Sequence, residues 1–584
     1  MRRDFCNPIN IPYKFQHYQN QASREAADPT LVYFKEKYYL FASMSGGFYY
    51  SDDLICWNWH ENRNLDLYRY APDVRQVGEY LVFSASDRSN SIFYRTQDPL
   101  SDTFEKVSEP FPFWDPNTFQ DDDGRVYFYW GCDNGKPIYG VELDPEKLTP
   151  FEEKKALIFG GQTEHGWERP DYPGVEKMSH SGSLLYKAFM LMMRLSGRGP
   201  DKPYIEGAFM NKWNGKYYLQ YAAPGTELAT YGDGVYIGDH PLGPFTYQIH
   251  NPYSSKPSGF ITGAGHGSTI ADSYGNLWHA ATMRISVNAN FERRLGIFPA
   301  GLDADGILFC NQDFGDYPME IPEGKFDPLS IRPKWMLLSY KKTCIASSYA
   351  SGHEPALAAD EDIRTSWCAN GNADEWLQMD LGQEYPVYAI QVNFAEVNVP
   401  MLRKPKNQCS SVMTNNRYID TNPVLKTRYL LEGSLDGKTW FTLTDKRNAN
   451  TDLSHDYLQF EGQIVRYLKI TAFQLPYSEA FAISGLRVFG IGTGEKPAAI
   501  QEFTAEYTDS MTARIKWNAA NGAIGYNVKY GIAPDKLYSS YMVYDAFEVL
   551  LTTLNKGQTY CIRIDSFNEN GITEGIPHIC QPQN

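Results

Sequence analysis

The chain has 584 residues, more than one ordinary domain, so two to four domains are expected. Its 54 basic and 70 acidic residues leave a net charge of −16, which argues against nucleic acid or anionic lipid as a partner. Apolar residues make up 42%, enough for packed cores and against extensive disorder, yet no run approaches the roughly 20 apolar residues of a membrane span. Aromatic residues reach 15%, which fits either a β-rich core or a surface that stacks on sugar rings. The nine cysteines have no CxxC and no zinc-like spacing, so they read mostly as buried thiols. The first residues, MRRDFCNPIN, lack the apolar run of a signal peptide.

Helical periodicity is scarce along the whole chain. FKEKYYLFAS, VGEYLVFSAS, DDDGRVYFYWG, WNGKYYLQYAA and SYGNLWHAAT each read as a polar turn followed by an aromatic-rich strand. The fold class is all-β. These segments also form an internal repeat, each preceded by a short strand with a polar residue near its start: Asp28, Asp73, Asp115, Glu206 and His266. The first two gaps, 45 and 42 residues, match a four-stranded propeller blade, and the later gaps of 91 and 60 imply insertions. A five-bladed propeller over residues 1–325 would bring the five polar residues together at one end of its channel. Two β-sandwich domains are expected to follow, over 343–490 and 497–584, the second after the linker GTGEKPAAIQ.

Cleaving a glycosidic bond takes an acid for the leaving oxygen and a base or nucleophile for the anomeric carbon. Asp28, Asp115 and Glu206 could supply such a set, with a third anion nearby keeping the acid protonated. A lone Asp-Pro is ordinary turn chemistry; the shared offset of Asp28 and Asp115 before successive strands sets them apart. Asp121, Asp122 and Asp123 read as a solvated hairpin turn. There is no phosphate-binding loop, dinucleotide fingerprint or serine nucleophile elbow, so no cofactor is expected for chemistry.

In order and spacing, ADPTLVYFKEKYYLFAS, WDPNTFQDDDGRVYFYWG, IEGAFMNKWNGKYYLQYAA and GHGSTI resemble the signature blocks of glycoside hydrolase family 43. These are five-bladed propellers that act with inversion on arabinose-, xylose- and galactose-containing polysaccharides. The resemblance, over roughly residues 5–320, implies Asp28 as general base, Asp115 as the residue that raises the acid's pKa, and Glu206 as general acid. It implies an axial place for His266, near a calcium or sodium ion or simply hydrogen-bonded in the channel. Arg293 is implied to face the substrate pocket, with a structural salt bridge as the alternative. Asp73 resembles a pocket-stabilising acid of the second blade, and Phe48, Trp114 and Trp167 are aromatics that serve either the core or a sugar platform. Where the family often has Gly-Pro after the acid, Gly207 is followed here by Ala208. The insertion at 164–203 suggests a closed pocket suited to terminal sugars.

IRTSW, WLQMDLG, EGSLDGKTW, RYLKI and LRVFG resemble a discoidin-type (coagulation factor type C) sandwich of the sort found in carbohydrate-binding module family 32, acting as sugar binder or buttress. Its long polar loop at 400–428 is a candidate contact with the propeller. Residues 497–584 resemble a fibronectin type III module, usually a spacer, with Trp517 and Tyr526 in its core. The implied function is an exo-acting inverting glycosidase: α-L-arabinofuranosidase first, then β-xylosidase, β-galactofuranosidase or exo-galactanase. Its partner would be an oligo- or polysaccharide, and its place the periplasm, the cell surface or outside the cell. The competing classes are a non-catalytic sugar-binding propeller and an adhesion protein with a protein ligand.

Overall fold

The computed structural model describes residues 3–582 apart from 19–20, 63, 66–69, 87–90, 110, 172–191, 193–201, 286–291, 398, 400–408, 411–416, 421–424 and 479. Five antiparallel blades follow one another along the chain, four of them four-stranded and the fourth in sequence extended to six strands. Their inner strands are Thr30–Phe34, Asp73–Val77, Asn117–Gln120, Tyr204–Trp213 and Thr262–Ala271. Each inner strand touches the next, and the fifth touches the first, so the ring is closed.

The strands form where aromatic and β-branched residues alternate or cluster, and turn residues close them. Asn214 and Gly215, both at positive φ, make the tight turn between Tyr204–Trp213 and Lys216–Ala223. Polar side chains stitch the inner strands across the blades. The Thr30 hydroxyl donates to the Pro72 carbonyl, the Asn117 amide to Asp73, and the Ser268 hydroxyl accepts the Leu31 N–H.

Between blades the core is aromatic. Phe34, Phe41 and Phe48 pack on Phe83; Phe93 and Phe113 on Phe128; Tyr127 and Tyr129 belong with Leu219 and Tyr221. The high aromatic content therefore goes largely into these seams, where each ring removes a large apolar area from water. The N-terminal strand Asp4–Phe5 pairs with Met319–Glu320, and the Asn7 amide brackets Ile297, donating to its carbonyl and accepting its N–H, both at 3.0 Å.

The second domain is an eight-stranded sandwich built on two long strands, Trp376–Phe394 and His455–Gln474, which pair along most of their length with bulges. Its sheet begins before residue 343, because Met336–Leu337 already pairs with Ala482–Gly490. Part of the 400–428 loop does reach the propeller domain: Arg417–Asp420 adds a strand to the Lys14–Tyr18 hairpin. Buried ion pairs fasten the same interface. Arg24 meets Glu396 at 2.5 Å and Asp452 at 2.6 Å, and Arg487 bonds both Glu361 and the Asp316 carbonyl.

The C-terminal domain is a smaller sandwich of a three-stranded sheet, with Thr512–Trp517 at its centre, against a sheet centred on Gly525–Gly531 and Tyr560–Asn568. Trp517 and Tyr526 lie in its core, as expected. It is no free spacer. Lys529 and Asn527 bind Asp313, Lys536 binds Asp303, and Tyr544 meets Tyr317. Among the described residues no helix is long and apolar enough to cross a membrane.

Candidate active site

The first three blades enter their inner strands through one motif. Asp28, Ala71 and Asp115 each stand two residues before the strand, each precedes a proline, and each has positive φ (51°, 45° and 53°). Residues before proline ordinarily stay extended, so this backbone is strained and held by its surroundings. The equivalence corrects the sequence repeat: the second-blade counterpart of Asp28 is Ala71, not Asp73. Asp73 lies inside the strand, 1% exposed, accepting from the Asn117 amide at 2.9 Å and the Thr118 N–H at 2.7 Å. It ties two blades together and does not join the axial cluster.

Serine hydroxyls hold the two aspartates. Ser43 donates to Asp28 at 2.5 Å and accepts the Ala71 N–H at 2.7 Å. Ser86 accepts the Asp115 N–H at 2.9 Å and lies 3.3 Å from its Oδ1. The Asp28 N–H is taken by Thr282. Burial would push the Asp28 carboxyl up, but Arg293 at 3.3 Å and His266 at 3.5 Å outweigh it and hold it below the usual range. Asp28 is thus an ionised carboxylate in a buried place. Burial instead pushes Asp115 well above the usual range, and the charges of Glu206 and Asp28 add to that against His266.

Glu206 lies on the fourth inner strand. Each of its oxygens accepts a tyrosine hydroxyl, Tyr204 at 2.6 Å and Tyr231 at 2.5 Å. Burial first, then nearby anions, keep both tyrosines far above the ordinary phenol range, so they remain donors. Gly207 has φ +64°, and a Cβ there would lie 2.7 Å from the His266 ring. Glycine is required for the acid's strand to pass the axis, whereas the residue after it, Ala208, packs in the core.

His266 stands at the centre, its burial penalty outweighed by Asp28, Asp115 and Glu206, so its ring is shifted toward the charged form. The Asp233 carboxylate accepts the N–H groups of His266 and Gly267, one on each oxygen. A hard cation needs six or more oxygen ligands. His266 offers one nitrogen and Asp233 is engaged with backbone, so a calcium or sodium ion here would take most of its ligands from water, and no step is routed through one.

Other expectations are relocated. Arg293, 4% exposed, is clamped by Glu25 and Asp28, the salt-bridge alternative. Phe48 is stacked on Phe41 at 4.6 Å inside the seam of blades one and two, and Trp167 is fully buried with its indole N–H on Tyr247. Both belong to the core, whereas Trp114 is half-buried beside Asp115. Of the insertion, 172–191 and 193–201 lie outside the described residues. Its opening docks on the C-terminal sandwich, where Arg169 donates to Thr552 and Thr512. Sequence reasoning passed over Ser43, Ser86, Tyr231 and Cys132, and also Tyr204, although its i, i+2 spacing from Glu206 on one strand face was available.

Fold and site together define a five-bladed propeller with a buried acidic cluster at its axis. Residues 22–308 match the family model of Glycosyl hydrolases family 43, and 343–400 match that of the F5/8 type C domain, so the chain carries a domain of each family. Over 184 residues it is 28% identical to a "Beta-xylosidase" of Xylanibacter ruminicola, covering 29% of this chain and 52% of that protein. Over 138 residues it is 28% identical to a "Xylosidase/arabinosidase" of Bacteroides ovatus, covering 23% and 39%. The chain therefore spans about half or less of these relatives' lengths. A solved GH43 protein from Bacillus licheniformis is 16% identical, with 83% of this chain and 98% of that one covered at a TM-score of 0.41.

Proposed function

We propose that the chain is an inverting, exo-acting glycoside hydrolase that removes terminal sugars from plant-type polysaccharide side chains, α-L-arabinofuranosides first. The observation that carries this reading is the meeting of Asp28, Asp115 and Glu206 around His266 in a family-43 domain. Asp28, kept ionised by Arg293 and His266, takes the proton of the attacking water. Asp115, held protonated by burial and its anionic neighbours, brings a proton to the pair it forms with Glu206. Glu206, steered by Tyr204 and Tyr231, delivers it to the leaving oxygen. Attack from the face opposite the leaving group inverts the anomeric carbon, with base and acid roughly 6.5–9.5 Å apart to admit the water.

A β-xylosidase is the second reading, favoured by the name of the relative in Xylanibacter ruminicola, while that of the Bacteroides ovatus relative names both activities. Such an enzyme would work in the periplasm, on the cell surface or outside the cell. The experiment is hydrolysis of p-nitrophenyl α-L-arabinofuranoside and β-D-xyloside, followed by digestion of arabinoxylan oligosaccharides. Release of arabinose alone supports the first reading, xylose alone the second. Binding of the oligosaccharides without release would turn the assignment to a sugar-binding propeller.

A further inference from the structure

Cys132 follows the second strand of the third blade, and nothing in the hydrolytic scheme uses it. Its half-buried thiol lies 2.9 Å from the Tyr204 hydroxyl and 3.5 Å from Glu206 Oε2, beside the carboxyl of Asp115. One oxygen of Asp115, the Cys132 sulfur and one oxygen of Glu206 all lie within 4.8 Å of one another. Among the described residues this is the one group of three such side chains close enough to share a cation. A second observation points the same way. Asp115 is 3% exposed, and its buried Oδ2 has no partner beyond the Cys132 thiol beside it. A buried carboxyl oxygen so sparsely paired is costly unless a ligand meets it.

We propose that Asp115, Cys132 and Glu206 form a site for a soft divalent cation such as Zn2+ or Cd2+, and that its occupation blocks the acid side of the active centre. The donor set selects the metal. One thiolate and two carboxylates suit a tetrahedral ion with water as fourth ligand, at about 2.3 Å to sulfur and about 2.0–2.2 Å to oxygen. Three donors this close need only small side-chain movements to reach those lengths. Calcium and magnesium, which prefer all-oxygen shells, gain nothing from the sulfur. On binding, the Cys132 thiol and the Asp115 carboxyl release their protons to solvent. The ion also draws Glu206 away from the leaving oxygen, so occupation and turnover exclude one another. The thiol on Glu206's flank makes this centre, unlike one built from carboxylates alone, sensitive to thiophilic metals.

Cd2+ titrated as its chloride into the full chain tests this directly, because a cadmium–thiolate bond absorbs in the ultraviolet whether or not the protein turns over a glycoside. The expected result is one equivalent bound with a charge-transfer band that survives excess Ca2+. Cys132→Ser should abolish the band, Asp115→Asn should weaken binding at least tenfold while keeping it, and Cys56→Ser, at an exposed thiol remote from the site, should leave it intact. A band that persists in Cys132→Ser, or vanishes in Cys56→Ser, overturns the proposal, as does the absence of any band in the wild type. Circular dichroism of Cys132→Ser and of a second variant, Cys132→Ala, shows that a lost band is not a lost fold. Metal binding without hydrolysis of any glycoside would leave this site standing and count against the enzymatic reading alone.

Discussion

Asp28 and Asp115 occupy the same position in two blades: each precedes a proline at positive φ and is held by a serine from the strand end of a blade, Ser43 for one and Ser86 for the other. Their environments nevertheless push their carboxyls in opposite directions, Asp28 below and Asp115 above the usual range. The difference is neighbourhood. Burial raises both and His266 lowers both; Arg293 adds a second cation at Asp28, whereas at Asp115 the charges of Glu206 and Asp28 reinforce burial. One repeated backbone device thus places an ionised carboxylate and a proton-bearing one on the same axis, a separation of roles that acid–base chemistry requires.

Ser43→Ala should be costly at two places at once, because the hydroxyl that donates to Asp28 also receives the Ala71 N–H. Leaving a buried N–H unpaired predicts a loss of about 1–3 kcal/mol in urea unfolding. Turnover should fall as well, since Asp28 loses a donor. Unchanged stability would mean that Ser43 does not carry the blade junction.

Asp73 gives the pH-dependent test. Burial first raises its pKa to about 6, against the lowering effects of Arg75 and its Thr118 and Asn117 partners. A carboxyl raised on folding favours the folded state fully below its unfolded value of 3.8, and that contribution is lost as pH rises through about 6. The loss is up to about 3 kcal/mol at 1.36 kcal/mol per unit. Asp73→Asn removes the titration, so the melting temperature of wild type minus variant should decline between pH 4 and pH 7.5. A constant difference would rule out a buried titrating group at this position.

The aromatic candidates should separate by what they lose. Phe48→Ala and Trp167→Ala, at buried seams, should each cost about 3–5 kcal/mol of stability. Trp114→Ala should melt nearer the wild type and raise KM, as a half-buried residue next in sequence to Asp115. A Trp114→Ala variant with wild-type KM would place the sugar elsewhere.

Glu396→Gln should loosen the junction between propeller and second domain. It removes the buried charge that faces Arg24 and Arg294, and breaking such a pair costs about 3–5 kcal/mol. Limited proteolysis should then cut the domains apart sooner than in the wild type. Equal digestion of the two proteins would assign the junction's strength to the Lys14–Tyr18 and Arg417–Asp420 pairing instead.

The propeller was legible in the sequence because each blade repeats a turn and an aromatic strand, and Asp28, Asp115 and Glu206 precede such strands at similar offsets. Asp73 was misplaced because a two-residue shift is invisible without backbone angles, and Ala71, which holds the equivalent place, carries no polar signal. Phe48 and Trp167 could not be told from sugar platforms, since core and platform use the same residue types. Ser86 reaches Asp115 from the preceding blade and Cys132 reaches Glu206 from the third, while Ser43 and Tyr231 meet Asp28 and Glu206 from other strands of their own blades. Those contacts come from strand pairing and blade packing, which local patterning does not encode. The C-terminal sandwich read as a spacer for a similar reason: its ties to Asp303 and Asp313 are long-range ion pairs.

The most direct test compares Asp28→Asn with Glu206→Gln on two substrates of one sugar, a p-nitrophenyl glycoside and the natural oligosaccharide. Nitrophenolate leaves without help from an acid, so Glu206→Gln should lose about 10²–10⁴-fold on the oligosaccharide and far less on the nitrophenyl glycoside. Asp28→Asn should be equally crippled on both, because both need an activated water. Equal losses for Glu206→Gln on the two substrates, or an Asp28→Asn variant that keeps wild-type rates, would contradict the assignment of acid and base at this axis.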